Sequence, residues 1–586
     1  MKLNYMKKIL LLACGMLMSY AAQAQDFETA KEAVKNMGVG WNLGNTLDAN
    51  TQKVIDITDA NYWGQQGLES ETCWGQPKTT RELIKMMKEA GFGAIRVPVT
   101  WYNHMDKDGN VNAEWMARVK EVVDYVIDEG LYCIVNVHHD TGADSYKDGV
   151  LTGAHWIHAD EDNFKTNQAR FEGLWKQIAE TFKDYNNKLL FESYNEMLDK
   201  LNSWCFASFS AKGQYDATVA TSAYNAINSY AKSFVDVVRA SGGNNSQRNL
   251  VVNTYAAANG SGTWNTHLKE PLTMLTIPSG EKNHIAVEVH AYPSIVNGNS
   301  NKTITYIKSE TKELMDGLNT NFVSKGIPVI IGEWGTSNVD AAEKDYDVRK
   351  SLMFQFCEDF IAQAKALNIA TFYWMGLSNG TYRSEPSFNE ADLAETIIKG
   401  YYGSSENYKF PTHDTSKGAV AFEGEKTLDW GQGVTVQASM IKDVGKSVEV
   451  ELTYKLDFTD YDDIQFMYNK GGWQKIASGL SMDGTAFEGA DFSPSGVYGI
   501  KTGDTKTSVL TFNDTAFDLV SKNDLIIQGH GVVITKVVVK APATSGIHNA
   551  TINREDDGAI YNLQGQRIAK PRKGLYIQNG KKLIAK

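Results

Sequence analysis

Cysteine, surplus positive charge and long apolar runs are all scarce in this chain. Its 586 residues include five cysteines, and Cys14 falls in an N-terminal segment of its own kind. The other four, Cys73, Cys133, Cys205 and Cys357, show no CxxC and no Cys/His ligand spacing, which disfavours a structural zinc site. Cys133 lies in the apolar run "LYCIVNV" and Cys357 in a helical pattern, so both read as buried thiols. Cys73 and Cys205 flank loops, and whether they pair is left open. Lys and Arg number 58 against 70 Asp and Glu, a net charge of −12. That balance opposes binding to phosphate backbones or anionic lipid and favours a neutral partner. Beyond residue 24 no stretch approaches the roughly 20 apolar residues needed to span a bilayer. What is present is ordinary globular material, 42% hydrophobic and 22% charged, which excludes disorder and collagen-like structure. At roughly 150 residues per domain the length suggests about four domains, unless one (β/α)8 barrel absorbs over half. The 13 Trp and 27 Tyr suit sugar faces as well as cores.

Residues 1–24 carry Lys7 and Lys8, an apolar stretch from Ile9 to Ala21, and Ala22-Gln23-Ala24. This is the anatomy of a secretory signal peptide cleaved before Gln25. The expected location is therefore periplasmic, extracellular or on the cell surface. Lipidation at Cys14, through "LLAC", is the alternative reading.

From about 30 to 400, short apolar runs alternate with amphipathic helical stretches, the βα signature of a parallel sheet. The strand candidates are 39–45, 93–101, 131–140, 189–196, 249–256, 284–292, 328–336 and 370–376. Eight such runs fit a (β/α)8 barrel. Helices are expected over 80–90, 113–129, 163–182, 223–239, 304–323 and 341–366, with Gly91 and Gly130 placed as C-terminal caps. Polar residues gather at the strand C-termini: Arg96, His138, His139, Asn195, Glu196, His290, Tyr292, Glu333 and Trp374. In a parallel barrel these ends open onto one mouth, where active sites of this fold are built.

Glu196 ends the fourth run and Glu333 the seventh, so the two carboxylates face one another across that mouth. Paired carboxylates across a cleft equip glycoside hydrolysis: one protonates the leaving oxygen, the other attacks the anomeric carbon. A separation near 5 Å gives retention through a covalent intermediate. A metal site is the competing use of two Glu and three His, disfavoured by the absence of HExxH and by the Arg96 cation. No metal and no cofactor is expected.

The motifs "GVGWNLGNTLDA" (38–49), "IRVPVTW" (95–101), "NVHHD" (136–140), "ESYNEM" (192–197), "VEVHAYPS" (287–294) and "IGEWG" (331–335) resemble glycoside hydrolase family 5 of clan A. They are most similar to its subfamily 4 of endo-β-1,4-glucanases and xyloglucanases, over about 36–376. The resemblance implies a retaining endo-β-1,4-glucanase with Glu196 as acid/base and Glu333 as nucleophile. It further implies that Asn195 binds the sugar 2-hydroxyl, that Arg96 sits beside Glu333, and that His290 and Tyr292 orient the two glutamates. His138 and His139 would line the adjoining subsite, Trp374 would be a sugar platform, and Asn42 and Asn45 lesser sugar contacts. The loops holding Trp63 and Trp74, and the segment with Trp204, Phe206, Phe209 and Tyr215, are either distal platforms or loop packing. These loops set the choice among cellulose, mixed-linkage glucan, xyloglucan and mannan. An endo-β-1,4-mannanase on the same barrel is therefore one alternative, and a non-catalytic surface glycan-binding protein another.

A Pro-, His- and Asp-bearing linker at 406–418 ends the 25–405 barrel domain. Residues 419–543 then read as an antiparallel β-sandwich, which resembles the jelly-roll carbohydrate-binding modules of secreted glycanases. Trp430, Tyr461, Tyr468, Trp473 and Tyr498 are either sugar platforms or core. Residues 544–586 form a linker and a basic tail with hairpin-like alternation, similar to the C-terminal sorting tails of Bacteroidetes secreted proteins. A small structural appendage is the other reading of that tail.

Overall fold

The computed structural model describes residues 27–542 except 51–57, 60–61, 143–144, 148–149, 154, 200–214, 262–265, 280–281, 293–302, 337–345 and 414–417, together with four short strands after residue 559. Eight parallel strands close into a barrel in sequence order: β1 Val39–Asn42, β2 Ala94–Val97, β3 Tyr132–Asn136, β4 Leu189–Glu192, β5 Leu250–Asn253, β6 Ile285–Ala291, β7 Val329–Trp334 and β8 Ala370–Tyr373. Each falls inside one of the eight runs expected from sequence.

The helices around it are α2 Arg81–Glu89, α3 Ala113–Asp128, α4 Glu161–Thr181, α5 Ala217–Ala240, α6 Ile304–Asn321, α7 Tyr346–Ala366 and α8 Ala391–Tyr402; α1, Ala30–Met37, precedes β1. Their starts are written locally. Thr80, Asn112, Asp160, Asp216 and Thr303 each accept a hydrogen bond from a first-turn backbone N–H of α2 to α6, satisfying donors a helix start leaves free. Gly91 and Gly130 follow α2 and α3 at φ 99° and 75°, the left-handed region a C-terminal cap requires.

Strand side chains alternate between two cores. Outward residues such as Ile95, Val97, Cys133, Val135, Phe191 and Val287 pack under the helices. The lower inward residues, Ala94, Ile134, Leu190, Val251, Ala286, Ile330 and Phe372, form a separate apolar plug with Ala30, Ala33, Val34 and Met37 of α1. Those α1 positions recur at helical spacing, and Thr29 and Glu32 close a capping box at its start. The amphipathic helix thus seals the end of the barrel opposite the mouth. Full burial of each Val, Leu or Ile stabilises by about 1.5–3 kcal/mol.

The C-terminal region is antiparallel. A six-stranded sheet (Ala419–Thr427, Glu449–Leu456, Leu480–Met482, Thr485–Phe487, Thr505–Phe512, Val532–Lys540) and a five-stranded sheet (Val434–Val436, Asp463–Asn469, Trp473–Lys475, Asp491–Phe492, Leu525–His530) share one apolar core. Ile560–Tyr561, Arg567–Ile568, Gly574–Gln578 and Lys581–Ala585 form a further four-stranded sheet. Cys133 and Cys357 are buried free thiols and Cys73 is free. Cys205, Trp204, Phe206, Phe209 and residues 1–24 lie outside the described residues. No helix among the described residues is long and apolar enough to cross a membrane.

Candidate active site

Above the apolar plug, the next inward position of successive strands is polar: Asn42, Arg96, Asn136, Glu192, Asn253 and Glu288, all fully buried. Arg96 is the centre of this layer. Its Nε and Nη2 donate to the two oxygens of Glu192 at 2.7 and 2.8 Å. Its Nη1 donates to Asn42 Oδ1 at 3.0 Å and Glu333 Oε1 at 2.8 Å, and Nη2 also reaches Asn195 Oδ1 at 2.9 Å. All five guanidinium donors are used. A buried cation is costly unless paired and hydrogen-bonded in this way. Burial would depress the Arg96 pKa, but Glu192 and Glu288 raise it well above the ordinary value.

The two glutamates are brought together at the mouth. Glu333 is buried and Glu196 keeps 29% side-chain exposure. One oxygen of each lies within 4.8 Å of the other. The β6 and β7 pairing shifts register between Val289 and His290, so that His290 pairs with Glu333. That irregularity in β7 re-aims the Glu333 side chain into the mouth. Tyr292 donates to Glu333 Oε2 at 2.6 Å, and burial followed by the Glu333 charge keeps the phenol protonated. Between Arg96 and Tyr292, both oxygens of Glu333 are fixed.

His290 Nδ1 stands 2.7 Å from Glu196 Oε1 and 3.5 Å from Glu333 Oε2. Burial pulls its pKa down, but Glu333, Glu196 and Glu288 together push it up to about 10. His138 is the opposite case. Burial first, then His139 and Arg96, hold it well below the usual range, so it is neutral. Asn136 Oδ1 accepts from Val99 N at 3.1 Å, which orients its amide to donate to His138 Nδ1 at 3.0 Å. The proton therefore sits on His138 Nε2, 3.9 Å from Glu333 Oε1.

Trp374 stacks parallel to His138, centroids 5.8 Å apart, and crosses close over Gly44, where a Cβ would meet its ring at 2.8 Å. Asn195 has its oxygen held by Arg96, leaving the amide N–H groups for a ligand. His139, 30% exposed, faces Asp48 Oδ2 at 3.6 Å. Asn45 is half-buried in the left-handed region, φ 59°. Asn42 is corrected: it is fully buried, and its amide is spent on Arg96 and on the Gly332 carbonyl at 2.9 Å, so it orients Arg96 and does not reach sugar.

The loop aromatics divide. Trp63 packs on Trp156 beneath the Arg170 guanidinium, and Tyr215 stacks on His267; both are packing. Trp74 is 39% exposed and sits 5.3 Å from the His139 ring. Sequence reasoning missed Glu192, Glu288, Asn136 and Asn253. The one trace they leave in the sequence is that each is a single polar residue at an inward position of an apolar run, which closure of the barrel then gives its role.

Among the described residues, two clusters bring three donor atoms within 4.8 Å: Glu196, His290 and Glu333, and Asp48, His138 and His139. In the first, Arg96 and the His290 imidazolium already supply positive charge. In the second, the His138 Nε2 that faces the mouth carries a hydrogen. Neither donor set suits a cation.

A parallel barrel with two adjacent carboxylates, a buried cation and an indole at its mouth has the equipment of a glycosidase. The model of the cellulase family, glycosyl hydrolase family 5, matches residues 47–380, and the chain belongs to that family. Endoglucanase B of Neocallimastix patriciarum is 33% identical over 365 residues, 61% of this chain and 66% of that protein. Endoglucanase A of Clostridium longisporum is 34% identical over 400 residues, 65% of this chain and 67% of that one. A solved GH5-4 broad specificity endoglucanase from an uncultured bacterium shares 68% identity at TM-score 0.60, covering 66% of this chain and 99% of that one. A family 5 enzyme of Prevotella bryantii B14, solved as a mutant with a xyloglucan tetradecasaccharide, shares 38% at TM-score 0.54 over 64% of this chain and 99% of that one.

Proposed function

We propose that the chain is a secreted, retaining endo-β-1,4-glucanase of the subfamily 4 type, active on β-glucans including xyloglucan. The observation that carries this is the pair Glu196 and Glu333, within 4.8 Å at one mouth. An inverting pair stands about 6.5–9.5 Å apart to admit water, whereas a retaining pair is closer. Glu333, fixed by Arg96 and Tyr292, attacks the anomeric carbon. Glu196, the more exposed of the two, protonates the leaving oxygen and then activates the water that releases the glycosyl-enzyme. Asn195 donates to the sugar 2-hydroxyl, and Trp374 with neutral His138 lines the subsite beside the cleaved bond.

The endoglucanase names of the relatives and the xyloglucan bound to the Prevotella enzyme support the substrate class. The segment 1–24 supports secretion. The β-sandwich is proposed as a sugar-binding module, since Trp430, Tyr461 and Trp473 are exposed. The basic tail is proposed as a sorting signal, tested by whether loss of 559–586 strands the enzyme in the envelope.

Reducing-end release from barley glucan, xyloglucan, carboxymethylcellulose and mannan tests the reading. Release from the glucans is expected; release from mannan alone points to the mannanase alternative. No release from any of them leaves a glycan-binding protein.

A further inference from the structure

One buried carboxylate has no part in the chemistry just described. Glu288 is fully buried at an inward position of β6. Its Oε1 stands 3.2 Å from His290 Nε2 and 3.4 Å from Arg96 Nε, while Oε2 has no hydrogen-bond partner among the described residues. Arg96 interacts with it through charge alone, since Glu192, Glu333, Asn42 and Asn195 take all five of its hydrogen-bond donors. Room is nonetheless reserved for it: a Cβ at Gly332 would lie 1.7 Å from Glu288 Oε1. The place it fills is the far side of the imidazole, so that His290 bridges Glu288 and Glu196.

We infer that Glu288 is a positioning residue that acts through His290: it anchors Nε2, presents Nδ1–H to Glu196 Oε1, and thereby sets the upper pH limit of the acid/base. The inference rests on the assignment of Glu196 to that role.

Each ring nitrogen of His290 faces a carboxyl oxygen, and the surrounding carboxylates, which push its pKa up to about 10, put a hydrogen on both. The ring is an imidazolium in contact with the acid/base. An adjacent cation favours the ionised form of a carboxyl group, so the state of His290, 2.7 Å from Glu196 Oε1, bears directly on the acid/base. Glu288 governs His290 in turn. Burial and the neighbouring Glu192 push Glu288 up to about 7, against the pull of Arg96 and His290. The other groups facing this pair are Arg96 from β2, His138 after β3, Glu192 from β4 and Glu196 after it, Tyr292 after β6 and Glu333 from β7. Arg96 stays charged, His138 stays neutral and Tyr292 keeps its proton. Glu288 gains charge near neutrality, clamps the second ring proton, and holds a cation against Glu196 as the pH climbs.

The test is the pH profile of kcat/KM on soluble β-glucan for the wild type and Glu288→Gln, with folding checked by thermal unfolding. The glutamine keeps the volume and an acceptor for Nε2 but removes the charge. The basic limb is expected to move up by about one pH unit, because a neutral imidazole no longer draws off the Glu196 proton. A limb that stays in place, or moves down as direct loss of an anion near Glu196 would dictate, overturns the inference. If the variant fails to fold, ¹⁵N spectra of histidine-labelled wild-type protein decide: both His290 nitrogens protonated at pH 6 and pH 8 is expected, and a bare Nε2 overturns it. Absence of glucan hydrolysis by the wild type would instead sink the functional assignment, and the spectra would still judge the relay.

Discussion

The barrel and the C-terminal sandwich bury their interiors differently. The sandwich core is mostly apolar: the Tyr454 hydroxyl meets Ser508 Oγ at 3.1 Å, Gln528 donates to Gln465 at 3.2 Å, and the buried Asp462 carboxylate accepts from Ser495 N at 2.9 Å. The barrel has an equally apolar plug and outer shell, yet carries Arg96, Glu192 and Glu288 at zero exposure. Stability alone does not ask for this, since apolar groups commonly serve as well as a buried ion pair. Buried charge clustered below a mouth marks chemistry. The sandwich keeps its distinctive groups, Trp430, Tyr461 and Trp473, on the outside.

The largest break in this comparison comes from the two glutamates. Glu333→Ala or Glu196→Ala should lower kcat on β-glucan oligosaccharides by about a thousandfold, since each removes a nucleophilic or proton-transfer step. Azide should rescue the two with opposite anomeric products. Normal activity in either variant would remove that residue from the mechanism. Second in size is Arg96→Met, which strands Glu192 and Glu333 without their cation. Breaking a buried pair in this way costs about 3–5 kcal/mol, read by urea unfolding of the barrel transition. A cost under 1 kcal/mol would mean the layer is not electrostatically coupled.

These sites show what sequence could and could not reveal. The eight strands were legible because an apolar run between amphipathic helices has few other structures to form. The strand-end residues were legible because Arg, His and Glu there interrupt a hydrophobic pattern. Glu192 and Glu288 were not read, although "LLFESYNE" and "VEVHAY" each place them two or four residues before a residue that was. A single polar residue within a strand shows its meaning only when closure of the barrel sets it beside Arg96. Asn42 was misjudged for the same reason: its strand-end position suggests the mouth, and only the Gly332 carbonyl and Arg96 show where its amide is spent.

The pH dependence of stability separates the two regions next. The His290 pKa is raised to about 10 from an unfolded value near 6.5. Its contribution is therefore complete below about 6.5 and lost as pH rises through 10. Glu288, raised to about 7, likewise favours the folded state at low pH and loses that advantage as pH rises through 7. Glu192 runs the other way: burial would raise it, but Arg96 and Asn136 hold it below its ordinary value. Its contribution is present above an unfolded value of about 4.3 and lost as pH falls through the folded one. The barrel transition should thus fall by several degrees between pH 7 and pH 10, while that of the sandwich, which has no buried imidazolium of this kind among its described residues, moves little. Equal shifts of both transitions in calorimetry would break the contrast.

The smallest effect concerns the exposed rings. The turn carrying Trp430 is tied to the five-stranded sheet by Gly431 N donating to Gln528 Oε1 at 3.2 Å. Tyr461 stacks on His530, centroids 4.6 Å apart, and His530 pairs with Asp463 at the same end of that sheet. Trp473, paired with Asn469, lies at the opposite end. Trp430 and Tyr461 thus lie toward one end of that sheet, and Trp473 toward the other. Surface substitutions of this kind change stability within about 0.5 kcal/mol, so binding can be read without unfolding. Trp430→Ala with Tyr461→Ala should weaken retention on insoluble β-glucan several-fold, more than Trp473→Ala does, while kcat/KM on a soluble oligosaccharide stays within about twofold because no ring of the sandwich enters the barrel chemistry. Unchanged retention in the double variant would leave these rings as mere surface and remove the sugar-binding role from the module. A matching loss on soluble oligosaccharide would mean instead that the sandwich acts on the barrel mouth itself.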